Sequence, residues 1–156
     1  MDATDRLILT QLQADGRVPN ATLAERVHLS PSPCLRRLKR LEGDGTIRGY
    51  RAILDRRRIG LGLTVFVEVK VTSHSSRRAD EIAQAVAGID AIVGCYIVAG
   101  QADFLLEVAV PDLAAYERLL LEEILELPGV TDVRSNIVIR TIKESGPLPL
   151  DLARAR

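Results

Sequence analysis

Hydrophobic residues in the first 45 positions recur with the spacing of amphipathic helices. The pattern predicts a helix over residues 5–13 with Thr4 as a possible N-cap, a short second helix around Leu23, and a third helix over residues 32–42. Their apolar faces share the spacing expected of one small core, formed by Ile8, Leu9, Leu12, Leu23, Ala24, Val27, Leu35, Leu38 and Leu41. We therefore expect residues 1–45 to form a unit of three helices.

The next segment, residues 46–62, has no helical period. Residues 46–54 contain β-branched and aromatic side chains, which predicts an extended linker strand or a strand-like tether. Residues 55–62 are basic and then glycine-bearing, which is typical of a domain boundary. The run Arg56–Arg58 fits either a contact to phosphates or a solvated linker.

From residue 63 the hydrophobic period changes to two, which is the period of β-strands. Val65, Val67 and Val69 alternate with more polar residues, and later segments alternate in the same way or return to helical spacing. The predicted elements are strands over residues 63–72, 91–99, 102–110 and 131–143, and helices over 76–87 and 112–127. This β-α-β-β-α-β order predicts a ferredoxin-like domain over residues 63–145, followed by a tail over 146–156. The whole chain is then an α+β protein.

A ferredoxin-like sheet carries both helices on one face and leaves the other face bare. Phe66, Glu68 and Tyr96 are predicted on the bare face, where water or a second copy of the chain must cover them. Strands this long and apolar favour a second copy, so we expect a homodimer.

Composition narrows the class of protein. Of the 156 residues, 47% are hydrophobic and 27% charged, as in globular domains, and no apolar run reaches a membrane span of about 18 residues. The start of the chain lacks the layout of a signal peptide, and Cys34 and Cys95 form no close pair. We expect a cytoplasmic protein with no membrane partner and free thiols, Cys95 lying in the core.

The zero net charge conceals an uneven distribution. Residues 1–58 contain 12 Lys and Arg against 7 Asp and Glu, whereas residues 59–156 contain 9 against 14. A basic first half is what a nucleic-acid-binding unit would show.

The second and third predicted helices have the features of a helix-turn-helix. Ser30 suits an N-cap and Pro31 the first helical position. If the leucines of the third helix are buried, small or cationic residues face outward, namely Ser32, Pro33, Arg36, Arg37 and Arg40. Such a helix either enters the DNA major groove or presents an ordinary solvated surface.

Signals for other functions are weak. The sequence shows no nucleophile–base pair, Gly-rich phosphate loop or metal-ligand spacing, so we expect neither an enzyme nor a metal site. His28 and His74 lack the neighbouring carboxylates or thiols that a metal would need. Only five residues are Phe or Tyr, too few to predict an RNA-stacking surface.

Several segments together resemble the Lrp/AsnC family, also called feast/famine regulators. The resemblance spans nearly the whole chain and rests on Asp5-Arg6 with Ile8-Leu9, Asp15-Gly16-Arg17, LAERVHLSPSPCLRRLKRLE, GTIRGY, GQADFLL, LPGV and PLPL. It implies a transcriptional regulator that binds double-stranded DNA and senses a small molecule, usually an amino acid, through the ferredoxin-like domain. It also implies homodimers that assemble into octamers. The alternative is a sensing or assembly module of this fold without sequence-specific DNA binding.

Carried onto this chain, the resemblance makes residues 32–42 the recognition helix. We expect Ser32 and Arg36 to read bases and Arg40 to contact phosphate, because arginine serves either purpose. Lys39, Arg48 and Arg51 are expected to be surface charges with at most a phosphate role. Cys34, on the same helix, is either redox-sensitive or an inert apolar residue.

The same resemblance places an effector site at the turn between the middle strands. The predicted residues are Gly100, Gln101, Ala102 and Asp103, with Ser135 and Asn136 as weaker candidates from a partner subunit. A glycine lets backbone N–H groups approach a carboxylate, and Asp103 offers an acceptor for an ammonium group. From the residues alone, a tight hairpin in which Asp103 caps its own turn is the simpler interpretation. No cofactor is expected beyond an amino-acid effector.

Overall fold

The structure is a computed structural model that describes residues 1–72, 76–144 and 146–153. His74 and the last three residues of the predicted tail lie outside these ranges. The chain divides into two compact units, Met1–Ile53 with Lys143–Arg156 and Leu54–Ile142. The segment after residue 142 therefore groups with the N-terminal helices.

Three helices form the N-terminal unit: α1 (Ala3–Ala14), α2 (Asn20–Arg26) and α3 (Pro31–Gly43). The N-cap of α1 is Asp2 and not Thr4. Asp2 Oδ1 accepts the backbone N–H of Asp5 at 2.8 Å, and Asp5 Oδ2 accepts that of Asp2 at 3.0 Å. Each carboxylate satisfies an amide that the first helical turn leaves unpaired, so α1 begins two residues earlier than its apolar pattern indicates.

The core of this unit agrees with the predicted one except along α3. Its buried members are Ile8, Leu23, Ala24, Val27, Cys34 and Leu41. Leu35, predicted inside, is 39% exposed, and Leu38 is only partly buried. Cys34 and Leu41 lie two turns apart on one side of the helix, and that side faces α1 and α2. The prediction that Leu35 is buried was therefore wrong.

The linker over residues 46–54, all within the described chain, forms no strand. Its first half packs beside α3: the Ile47 N–H donates to the Leu41 carbonyl at 2.8 Å, and the Tyr50 hydroxyl donates to Glu42 at 3.0 Å. Burial and the bond to Glu42 raise the pKa of Tyr50 to about 12. Residues 46–54 are a tether within this chain, not a strand of its sheet.

The second unit contains β1 (Leu63–Val71), α4 (Ser76–Ala87), β2 (Ile92–Ile97), β3 (Phe104–Val110), α5 (Leu113–Leu119) and β4 (Val130–Ile137). A π-helical turn, Leu120–Ile124, extends α5. The strands form one antiparallel sheet in the order β2-β3-β1-β4. This topology confirms the predicted ferredoxin-like fold.

Both helices of this unit pack on one face of the sheet. Val65, Val67 and Val69 of β1 point to that face and contact a cluster that includes Ile82 of α4 and Ile124 of the π turn. The alternation predicted for β1 is therefore confirmed. The opposite face carries Phe66, Glu68 and Tyr96, as expected.

Two predicted details in this unit were wrong. The last strand ends at Ile137, not at residue 143, and Ile139 is 92% exposed. Cys95, predicted in the core, is exposed and lies on β2, one of the two outer strands of the sheet.

Candidate nucleic-acid interface and effector loop

The turn between α2 and α3 fixes the start of the exposed helix. His28 adopts a left-handed conformation with φ of 56°, and the Leu29 N–H donates to the Ala24 carbonyl at 2.9 Å. Ser30 occupies the N-cap position and Pro31 the first position of α3, as predicted, although the Ser30 side chain makes no capping hydrogen bond. The Asn20 amide of α2 donates to the Pro31 carbonyl at 3.0 Å. The two helices are thus held at a sharp corner, as in a helix-turn-helix.

The residues of α3 sort into three sides. Cys34 and Leu41 face the core. Ser32, Arg36 and Lys39 lie on the opposite side of the helix by their spacing, and all three are exposed. Among the described residues, the Arg36 side chain has no hydrogen-bond or salt-bridge partner, so its guanidinium is available to an external anion or base.

Arg37 and Arg40 lie between these two sides and bind carboxylates of α1 and its N-cap. Arg37 Nη1 is 2.6 Å from Asp2 Oδ2 and 2.9 Å from Asp5 Oδ1. Arg40 Nη2 is 2.6 Å from Asp5 Oδ2. We call Asp2, Asp5, Arg37 and Arg40 the α1–α3 ion cluster. It joins α3 to the start of α1.

Asp5 is the buried centre of the α1–α3 ion cluster. Its side chain is 1% exposed, whereas those of Arg37 and Arg40 are 31% and 55% exposed. Burial alone raises the pKa of Asp5, but the Asp2 N–H and the two guanidinium groups outweigh it and leave the pKa below its usual value. The hydrogen bond from the Asp5 N–H has the largest effect on the pKa of Asp2, and the one from Arg37 the next largest. Together they lower this pKa to about 2. Both carboxylates are therefore ionised at neutral pH.

Sequence reasoning missed the two aspartates of this cluster. The only local signal is the Asp2-x-x-Asp5 spacing, which fits a helix start. Nothing local shows that the two acids meet the Arg37-x-x-Arg40 pair more than 30 positions away. The predicted contacts of Ser32, Pro33, Arg36, Arg37 and Arg40 with DNA stay predictions.

Cys34 belongs to the core of the N-terminal unit. The side chain is fully buried, and burial raises the pKa of its thiol. Since the thiolate is the reactive form, this environment favours the inert, apolar role over a redox role.

The loop over residues 98–103 joins β2 to β3 beside the end of β1. Gly100 has φ of 153°, in the region that favours glycine, and a Cβ there would meet no atom within 4 Å. Ala102 is buried. The Gln101 amide oxygen accepts from Arg134 of β4 at 3.3 Å. The loop therefore combines an open glycine backbone with a nearby guanidinium group.

Asp103 is hydrogen-bonded to the end of β1. Its Oδ2 accepts the Val71 N–H at 2.9 Å, and its own N–H donates to the Val69 carbonyl at 3.0 Å. Asp103 therefore caps the end of β1. The same bond partly satisfies the carboxylate that was predicted to bind an ammonium group.

Ser135 and Asn136 point to opposite sides of the sheet. Ser135 shares a hydrogen bond with the Tyr116 hydroxyl of α5 on the helical face. The Asn136 amide donates to Glu68 at 3.2 Å on the other face. Neighbouring strand residues alternate, so the two side chains lie on different faces of β4, which is an edge strand of the sheet. Their role in effector binding stays a prediction.

No other type of site emerges from the described part of the chain. It contains no group of three or more His, Cys, Asp or Glu side chains placed to hold a metal ion. Its helices are also too short or too polar for any one of them to cross a membrane.

Comparison with known proteins agrees with this two-unit organisation. Residues 1–42 match the model of the AsnC-type helix-turn-helix domain, and residues 64–148 match that of the Lrp/AsnC ligand binding domain. The leucine-responsive regulatory protein of Escherichia coli K12 is 43% identical over 148 residues, which cover 95% of this chain and 90% of that protein.

Solved structures give the same result. A transcriptional regulator of Neisseria meningitidis in complex with L-Met superimposes with a TM-score of 0.90 at 38% identity, covering 97% of each chain. A feast or famine regulatory protein from M. tuberculosis complexed with L-methionine gives a TM-score of 0.84 at 33% identity, covering 92% of this chain and 95% of that one.

The fold, the exposed basic helix and these matches define a helix-turn-helix transcriptional regulator with a ligand-binding domain. The chain belongs to the Lrp/AsnC family.

Proposed function

We propose that this regulator binds operator DNA through α3 and that an amino acid bound by the second unit alters this binding. The observation that carries the DNA-binding part is the exposed side of α3, with Ser32 near its N-terminus and Arg36 one turn further on. Arg36 has no side-chain partner within the described ranges. Pro33, Arg37 and Arg40, the rest of the predicted set, lie beside this side. A helix N-terminus that follows a sharp helical corner is the part of a helix-turn-helix that enters the major groove.

The first experiment is a gel-shift titration on the DNA upstream of the protein's own gene, beside a mixed-sequence duplex of equal length. Arg36→Ala should weaken binding to the upstream DNA about tenfold more than binding to the mixed duplex, because one bidentate guanine contact is worth about 1–3 kcal/mol. Arg118→Ala removes an exposed arginine of α5 and is the matched control. Equal weakening on both duplexes would contradict base reading by Arg36.

The effector part of the proposal concerns the loop over Gly100–Asp103. The solved structures of the relatives from N. meningitidis and M. tuberculosis are complexes with L-methionine, and the relative from E. coli is a leucine-responsive regulatory protein. L-Methionine and L-leucine are therefore the first probes. The backbone at Gly100 suits an α-carboxylate, and Asp103 suits an α-ammonium group. We place this site at an interface between subunits.

Calorimetric titration with each amino acid tests the effector site. Asp103→Asn keeps an acceptor for the Val71 N–H and removes the charge, so it should weaken amino-acid binding while the thermal midpoint stays close to that of the wild type. An unchanged affinity would remove Asp103 from the site. DNA binding that is indifferent to a pool of all the amino acids would leave a regulator without this effector.

We also propose a homodimer that assembles further into an octamer. Tyr96 is 53% exposed on the open face of the sheet, and Phe66 and Leu105 lie half-buried beside it. Light scattering with and without L-methionine measures the assembled mass. A monomer at micromolar concentration would contradict the proposal. Assembly with no binding to either duplex would favour the alternative module without sequence-specific DNA binding.

A further inference from the structure

The cations of α3 differ in what they already bind. Arg36 and Lys39 lie with Ser32 on the side opposite Cys34 and Leu41, and in the described chain neither has an intramolecular salt bridge. Arg37 and Arg40, by contrast, are bound by the carboxylates of Asp2 and Asp5 at 2.6–2.9 Å. Four neighbouring cations therefore form two pairs with different environments.

Burial of the Asp5 carboxylate keeps Arg37 and Arg40 in place when DNA is present. Asp5 is almost completely shielded from water, so removal of its guanidinium partners would leave a buried charge with no opposite charge beside it and only the hydrogen bond from the Asp2 N–H. A DNA phosphate is solvated and has to compete with that carboxylate for Arg37 or Arg40. The competition favours Asp5, because its charge has no solvent to return to.

We infer that Asp5 is a positioning residue that determines which cations of α3 can bind DNA. It retains Arg37 and Arg40 along the interface between α1 and α3, where they set the orientation of α3. DNA is then bound by Arg36 and Lys39. Lys39 binds a phosphate in its own right, because its ammonium group is a point charge on a flexible stem. This inference rests on the proposed binding of DNA by α3.

The test measures how many phosphates each variant neutralises. Binding of the full-length protein to a fluorescent mixed-sequence duplex is measured from about 50 to 200 mM KCl. The slope of log K against log salt is proportional to the number of neutralised phosphates, with about 0.9 in magnitude for each one. Lys39→Gln should therefore reduce the slope by about 0.9. Arg40→Gln removes a cation of the same helix that Asp5 retains. Contrary to the phosphate contact expected from the sequence, it should leave the slope unchanged while lowering the melting temperature.

Release of Arg37 and Arg40 from Asp5 should increase the magnitude of the salt slope. Asp5→Asn frees Arg40 and loosens Arg37, so the slope should increase by about 0.9 or more in magnitude. A purely structural role for Asp5 would lower the melting temperature without this increase. If Asp5→Asn does not fold, the comparison of Lys39→Gln with Arg40→Gln still decides.

The inference is overturned if Arg40→Gln reduces the slope as much as Lys39→Gln does, or if Lys39→Gln leaves it unchanged. Failure of the proposed function looks different. In that case the wild-type protein itself shows no salt-dependent binding to either the mixed duplex or the upstream DNA, before any variant is compared.

Discussion

At the scale of single residues, the most informative side chain is Asp5. Its carboxylate accepts the N–H of the N-cap residue Asp2, binds two arginines of α3 and is buried. A buried carboxylate is tolerated only where hydrogen bonds and opposite charges replace its hydration, and Asp5 has both. One residue thus links the start of α1 to α3.

Substitution of Asp5 should destabilise the N-terminal unit. Asp5→Asn retains the size of the side chain but weakens bonds to two guanidinium groups, and bonds to charged groups contribute about 1.5–3 kcal/mol each. We expect the free energy of unfolding to fall by about 2 kcal/mol. Urea unfolding followed by far-UV circular dichroism measures this, with Asp15→Asn, an exposed aspartate after α1, as control. Equal stabilities of the two variants would contradict a structural role for the α1–α3 ion cluster.

The same cluster predicts that acid destabilises the N-terminal unit. The pKa of Asp2 in the folded state is about 2, below the ordinary value of 3.8, and that of Asp5 is also lowered. Between about pH 4 and pH 2 the unfolded chain therefore binds more protons than the folded one. The stabilisation that these two carboxylates contribute is fully present above about pH 4 and is lost as the pH falls towards 2. Hydrogen exchange of α1 amides at about pH 5, 3.5 and 2.5 should show progressive opening. Asp2→Asn should reduce this pH dependence, and the same pH dependence in both proteins would count against Asp2.

At the scale of elements, the sequence predicts the amphipathic helices and the alternating strands well. The helix over 76–87 was predicted with the bounds it has in the structure, because its apolar period is unambiguous. The last strand was predicted too long, since Ile139 and Ile142 continue a β-like composition after the chain leaves the sheet at Ile137. The composition of a segment indicates that it can form a strand. Whether it pairs in the sheet depends on strands that are distant in sequence.

The candidate site shows the same limit. The basic side of α3 follows from helical spacing, so Ser32 and Arg36 could be singled out from the sequence. Their difference from Arg37 and Arg40 could not, because it depends on Asp2 and Asp5, which lie at the start of α1, more than 30 positions away. Likewise the bond from the Val71 N–H to Asp103 is created by strand pairing.

Two isoleucines, one in a helix and one beyond the last strand, test which apolar residues are packed in the core. Ile82 of α4 is 1% exposed and packs on the sheet, whereas Ile139 lies beyond β4 and is almost fully exposed. Ile82→Ala should lower the free energy of unfolding by about 2–5 kcal/mol, the range for deletion of a buried aliphatic side chain. Ile139→Ala should change it by less than about 0.5 kcal/mol. Urea unfolding measures both, and a large effect at Ile139 would indicate that assembly buries it.

At the scale of the whole molecule, the two units are joined twice by the chain. Residues 46–62 lead from α3 to β1, and the segment after β4 returns to the N-terminal unit. There the Gln13 side chain of α1 accepts the Leu148 N–H at 2.6 Å and donates to the Leu148 carbonyl at 3.3 Å. The match to the ligand binding domain ends at this same residue, 148, so the last part of that domain's sequence is anchored on the DNA-binding unit.

This anchor should carry part of the effector response. An effector changes DNA binding only if it favours one of two states, and a second connection restricts how the units can differ between those states. We expect Gln13→Ala to bind upstream DNA like the wild type without an amino acid but to show a smaller change on addition of L-methionine. Gln11→Ala, which removes a side chain of α1 that bonds to Arg26 and not to the tail, is the control. Gel shifts at matched protein concentration compare the two. An effector response equal to that of Gln11→Ala would mean that Gln13 anchors the tail for stability alone, and the response would then have to pass through residues 46–62 or through the assembly of subunits.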